Sequence, residues 1–211
     1  AENTEAVERG MPNLLKHIEN ITEKFGLPAV VAINRFPTDT ESELAVIERK
    51  CREYGVNVAL SEVGGKVGER GIELAREVVR LADSFDGEPQ YAYDIELPVK
   101  RKIEAIVKNI YGGEGVDFSS AAIKEIKRLE ELGFGKLPVC MAKTQFSLSD
   151  DAKKTGRPEG FRVSVKNVKV SAGAGFIVVY TGDIMTMPGL PKSPSAERID
   201  IDSNGRISGL F

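Results

Sequence analysis

The chain predicts an α/β fold, a parallel-sheet βαβ domain followed by a smaller α/β domain with a strand-rich C-terminal end. Three observations carry this. Residues 1–86 alternate in pattern as helix, strand, helix, strand, helix, which implies βαβ units. The run AVVAIN (29–34) is apolar until its last residue, as expected of a strand buried on both faces of a parallel sheet. From residue 161 the chain changes character. FRVSVKNVKV alternates, GFIVVYTG is apolar, and RIDIDSNGRISGLF reads as a hairpin with Asn204-Gly205 at its turn.

The elements follow in order. Over residues 4–25, Met11, Leu14, Leu15, Ile18, Ile21 and Phe25 recur at steps of three and four, so they share one helical face. Gly26 can take the left-handed position that ends a helix, and Pro28 blocks its continuation. After AVVAIN, the loop RFPTDT leads to a second helix, where Thr40 and Glu43 have capping-box spacing; Gly55 can close it. VNVAL (56–60) is the second strand. The loop SEVGGKVGERG then precedes a third helix, 71–85. The connector DGEPQYAYDIELP leads to a helix over 98–110 with Ile103, Ile106, Val107 and Ile110 on one face. Gly112, Gly113 and Gly115 mark a break, which places the domains at 1–111 and 112–211. Beyond it come a short strand at 116–118, a helix from Ser119 or Ser120 to Leu132 closed by Gly133, the strand LPVCMAK, and a polar loop over 145–160.

Composition narrows the function. Hydrophobic residues are 41%, charged residues 29%, and the net charge is -3 with no long basic run, so nothing points to nucleic acid as a partner. The longest apolar stretch, AGAGFIVVY, is far shorter than the roughly 20 residues of a membrane span. Residues 1–25 lack a secretory pattern. Two cysteines, Cys51 and Cys140, and one histidine, His17, are too few for a metal set; two reduced thiols in a cytoplasmic protein and a histidine on a charged helix are expected. The helix-like start without Met predicts a cut through a longer protein, and Phe211 a terminus packed into a sheet.

Several motifs compete with plainer readings. No G-x-x-x-x-G-K-[ST] occurs, so the residues themselves propose no ATP site. SAGAGF reads as a tight turn before a buried strand. DIDSNG imitates half of a calcium loop, but position twelve is Phe211 instead of a bidentate Glu, and the hairpin reading wins. In α/β sheets ligands bind beyond the carboxyl ends of the strands, here the loops 34–40 and 61–71. Phe36 and Pro37 stand on the first. They can wall a flat heterocycle, or Phe36 can cap the core while Pro37 starts a turn; position alone does not choose. Lys143, Asp150, Asp151 and Arg157 lie in or beside the long polar loop, which is either solvated or ordered by a partner subunit, a domain or a ligand.

The segments NLLKHIENI, AINRFPTDTESEL, GGEGVDFS, LPVCMAKTQFSLSDD, SAGAGFIV and TGDIMTMPGLPKSPSAERIDIDSNGRISGLF together resemble formate–tetrahydrofolate ligase, in its C-terminal portion. The resemblance implies an enzyme that joins formate to tetrahydrofolate with ATP, giving 10-formyltetrahydrofolate, ADP and phosphate. It implies formyl phosphate as intermediate and a P-loop in an N-terminal domain of the same protein, so that this chain alone is inactive. A cytoplasmic homotetramer activated by potassium or ammonium is implied as well. Residue by residue, Phe36-Pro37 and Leu60 match the family's pterin wall. Where many members carry Trp after Ser-Glu-Val this chain has Gly64, so one aromatic face of the pterin sandwich is missing. The alternative function, from another class, is a noncatalytic folding or oligomerisation module.

Overall fold

The computed structural model describes residues 2–61, 71–182, 184, 191–203 and 205–209. Helix α1 (Thr4–Glu19) starts at Asn3, whose side chain accepts from the Ala6 amide at 2.9 Å. Its last turn widens into a π turn over Asn20–Lys24, and Gly26 then reverses the chain at φ 64°. Strand β1 (Val30–Asn34) pairs in parallel with β2 (Asn57–Ser61), from Val30↔Asn57 to Asn34↔Ser61. Helix α2 (Glu41–Glu53) connects them. Its capping box is complete: the Thr40 hydroxyl accepts from the Glu43 amide at 3.3 Å, and the Glu43 carboxylate accepts from the Thr40 amide at 3.0 Å.

Alternation sorts the strand residues. Val31 and Val58 pack with Met11 and Ile18 of α1 and Val46 and Cys51 of α2. On the opposite face Asn57 donates to Glu77 of α3 (Ile72–Ser84) at 2.7 Å. The expectation that β1 is buried on both faces fails: Ile33 is buried, whereas Val30 and Val31 are half-buried and Ala32 is exposed. The cause is cover. The described sheet has two strands, and α3 buries no residue on it, leaving Ile72, Val78 and Val79 exposed.

The connector after α3 turns back on both halves: the Gln90 amide donates to the Phe25 carbonyl at 2.8 Å, and the Val139 amide donates to the Tyr93 hydroxyl at 2.9 Å. Helix α4 (Val99–Ile106) continues as a second π turn to Tyr111. Then come β3 (Gly115–Phe118), α5 (Ser120–Glu131, capped by Ser119), β4 (Val139–Ala142), β5 (Arg162–Ser171) and β6 (Phe176–Thr181). The sheet order is β3-β5-β6-β4, with β3 parallel to β5, β4 parallel to β6, and β5 antiparallel to β6. The core joins Val99 and Ile103 of α4, from the N-terminal side of position 111, to Ala122, Ile126 and Leu129 of α5 and Val165, Val168, Ile177 and Val179 of the sheet. A register shift between Val165 and Asn167 adds one residue to β5, so the buried positions pass from Val163 and Val165 to Val168. The hairpin of β7 (Asp200–Ile201) and β8 (Ile207–Ser208) is antiparallel, with Gly205 at φ 79°; Asn204 lies outside the described residues.

Polar groups at the end of α1 join the two halves. Buried Lys16 donates to Glu19 at 2.5 Å and to the Asn109 carbonyl at 3.4 Å. Asn20 donates to the Ile110 carbonyl at 2.8 Å, and Arg157 donates to Glu19 at 2.7 Å. Burial works to raise the Glu19 carboxyl pKa, but Lys16 and then Arg157 outweigh it and hold it below the usual carboxylate range. A depressed carboxyl stabilises the fold above its unfolded-state pKa, and that contribution is lost as pH falls through the folded value. Glu19→Gln should therefore cost about 1.5–3 kcal/mol at neutral pH. The difference from the parent should shrink once pH drops below about 4.3. Urea melts of both proteins across pH 3–7 check this; a pH-independent difference would exclude the ionic tie.

Candidate functional site

The first candidate site is the carboxyl edge of β1 and β2. The Arg35 amide donates to the Ser61 carbonyl at 2.9 Å, carrying the ladder one residue past β1. The chain then turns under control of Asp39. Its carboxylate accepts from the Phe36 amide at 2.8 Å, and its own amide donates to the Phe36 carbonyl at 3.1 Å. Arg35 also donates to Glu41 at 2.5 Å, tying the turn to the start of α2. This local bonding presents Phe36 outward: the residue is 59% exposed, and Pro37 beside it is exposed too. Of the two readings open from sequence, a core cap at Phe36 does not fit that exposure, while the turn expected at Pro37 is present.

Leu60 is half-buried and sits opposite Ile33, one residue before the end of β2. The register thus brings Phe36, Pro37 and Leu60 to one edge of the sheet, with Leu60 on the face of Val31, Ile33 and Val58. Gly64 and most of the second loop lie outside the described residues.

The second candidate site was not legible in the sequence. An open cleft of ≈ 900 Å³ lies between α1 and residues 143–156, with Arg9, Asn13 and His17 on the helix side and Gln145, Phe146 and Thr155 on the loop side. The loop is ordered by its own residues. The Lys143 ammonium donates to the carbonyls of Thr144 (2.9 Å), Ser147 and Ser149 (3.1 Å), and it lies 5.1 Å from the centre of the Tyr111 ring. Burial pushes its pKa down, partly opposed by Asp150. Burial also pushes the Tyr111 hydroxyl up to about 12.

Ser147 and Ser149 share a hydrogen bond at 2.9 Å, and the Asp150 carboxylate accepts from the Ser164 amide at 2.8 Å. The Asp151 amide donates to the Ser149 hydroxyl at 3.1 Å. Lys143, Asp150, Asp151 and Arg157, singled out from sequence, are thus bonded into the ordered loop and its tie to α1. His17 gave no signal beyond its place on a charged helix; the residues across the cleft from it, from Tyr111 on, lie more than ninety positions away.

Cys51 is buried in the first core, and Cys140 is exposed on β4. Among the described residues no cluster of three or more His, Cys, Asp or Glu side chains could hold a metal ion, and no helix is long and apolar enough to cross a membrane.

Parallel strands covered by helices place the chain among α/β proteins, whose ligands commonly bind at the carboxyl edge of the sheet. A model of the formate–tetrahydrofolate ligase family matches residues 1–211, and the chain belongs to that family. The family is one of ligases, with formate and tetrahydrofolate among its substrates.

An outward Phe36 has a thermodynamic signature. Phe36→Ala should change unfolding free energy by less than about 0.5 kcal/mol, as surface substitutions do. Leu129→Ala in the second core should cost about 2–5 kcal/mol. Denaturant midpoints of the two variants check this, and a loss at Phe36 as large as that at Leu129 would make Phe36 a core residue.

Proposed function

We propose that this chain is the C-terminal portion of a formate–tetrahydrofolate ligase and holds the pterin end of tetrahydrofolate at the β1–β2 edge. The observation that carries the reading is the exposed Phe36 ring on a turn fixed by Asp39, beside Pro37 and above the end of β2. A ring held open by local hydrogen bonds meets a flat heterocycle without first leaving a packed site, so little binding energy is lost to reorganisation. Leu60 adds apolar surface at the same edge. With Gly64 in place of an aromatic residue, stacking is limited to one face.

In the reaction so assigned, a formate oxygen attacks the terminal phosphorus of ATP, giving formyl phosphate and ADP. The folate N10 then attacks the formyl carbon, phosphate leaves, and N10 loses its proton. This chain's part is to bind and orient the pterin and to exclude water from that face. No glycine loop with P-loop spacing stands in the sequence to cradle nucleotide phosphates. ATP binding is therefore assigned to the N-terminal domain of the same protein, and the isolated chain to no ATP turnover. The reading includes a cytoplasmic homotetramer and activation by potassium or ammonium, for which no ligands are assigned within this chain.

One observation favours the second reading, a folding or oligomerisation module. Ile72, Val78 and Val79 stand exposed on α3, an apolar stripe suited to burial against further protein. The two readings separate by titration with tetrahydrofolate in the protein carrying its ATP-binding part. Phe36→Ala should weaken binding, and Gly64→Trp tighten it, by about 1–3 kcal/mol each, the worth of one stacking face. If neither substitution moves the dissociation constant, the pterin is not held here and the module reading stands.

A further inference from the structure

The cleft between α1 and residues 143–156 has properties that the folate reading does not use. Its size, ≈ 900 Å³, lies in the range of sites that enclose a small organic ligand. Its charged lining residues are Arg9 and Lys143, with not one carboxylate, in a chain whose net charge is -3. A cleft lined by one sign of charge focuses its field on a ligand of the other. Asp150 acts on Lys143 from behind the loop it holds, and Arg9 is paired with Glu5 at 2.6 Å. Both side chains are largely exposed, so that pair contributes little and Arg9 can turn to an incoming anion.

The donors are arranged for use. Arg9, Asn13 and His17 are spaced four apart, so they form one stripe along α1. Among the described residues, the side chains of Asn13, His17, Gln145 and Thr155 take no intramolecular hydrogen bond, though they line the cleft. Facing the stripe, Phe146 is 67% exposed while its neighbours Ser147, Leu148 and Ser149 are buried. The loop does not present this ring through slackness. Three carbonyls converge on the Lys143 ammonium, and the Ser147–Ser149 hydrogen bond locks the next turn. A hydrogen-bonded loop that holds an aromatic ring in solvent opposite Arg9 and the unengaged Asn13 and His17 is the construction of a recognition surface.

We propose that this cleft is a second ligand site, separate from the β1–β2 edge, for a small organic anion bearing a flat apolar group. The anionic end lies on Arg9, Asn13 and His17, and the flat group lies against Phe146. Lys143 acts as a positioning residue through the backbone it holds. Phosphate monoesters and carboxylates share this chemistry, and the test separates them.

His17 is the only histidine of the chain, so its imidazole C–H proton resonances report on the cleft without assignment of other signals. The 211-residue chain is titrated with phenyl phosphate, benzoate and inorganic phosphate in turn. The His17 resonances should move saturably with phenyl phosphate or benzoate, and the tighter of the two names the ligand class. Inorganic phosphate, without a ring, should bind roughly tenfold more weakly than phenyl phosphate. Arg9→Gln should weaken the anions by a further factor of roughly ten. Phe146→Ala should abolish the advantage of phenyl phosphate over inorganic phosphate. Both side chains are exposed, and unchanged core methyl shifts establish that each variant is folded. Absence of saturable movement with all three probes would overturn the site. So would parental affinity in Arg9→Gln; retention of the ring's advantage in Phe146→Ala would overturn the place given to the flat group.

Discussion

A single buried ammonium at the end of α1 sets the relation between the two halves of the chain. Lys16 is 3% exposed, and its charge is met by Glu19 and by the Asn109 carbonyl at the turn that ends α4. Glu19 in turn receives Arg157, which brings in the long loop from the second half. Each member satisfies another, so the loss of one leaves a partly buried charge without its partner, the costly outcome for such networks. Through this junction α1 belongs to both halves. Its apolar stripe, with Met11 and Ile18, closes the first core, and its polar stripe faces the loop of the second.

That division of one helix into two faces positions both candidate sites. On the apolar side α1 and α2 cover one face of β1 and β2 and leave the carboxyl edge free, where the Asp39 turn exposes Phe36. On the polar side a cleft remains because the loop of residues 143–156 is wrapped around Lys143 and so does not collapse onto the helix. In both cases local hydrogen bonds keep an aromatic ring out of the core, at Phe36 and at Phe146. Membership of the formate–tetrahydrofolate ligase family gives the first of these rings its proposed ligand.

Much of the fold could be read from short-range patterns because short-range physics decides it. Thr40 and Glu43 form the capping box their spacing announces, and Gly26 takes the left-handed conformation ahead of Pro28. In β5 the strand itself was readable, but plain alternation does not show that the buried positions change parity after Val165, where the register shifts against β6. The partial exposure of AVVAIN is not legible, because an apolar run does not reveal how many strands and helices are there to cover it. The cleft was not legible at all. It is formed by Arg9 and His17 across from Gln145 and Phe146, a meeting across the fold that leaves no periodicity or spacing in either segment. Phe36 stands between these cases: its place at the strand end was readable, whereas its exposure depends on the Asp39 side chain.

The central claim is that the β1–β2 edge receives the pterin of tetrahydrofolate, and amide hydrogen exchange tests it most directly. Exchange is measured along the chain with and without saturating tetrahydrofolate. Protection should rise at the amides of Phe36 and Asp39 and around Leu60 and Ser61, with the helix α5 unchanged. Unaltered exchange at residues 34–40 and 60–61, with protection gained elsewhere or nowhere, would contradict the account.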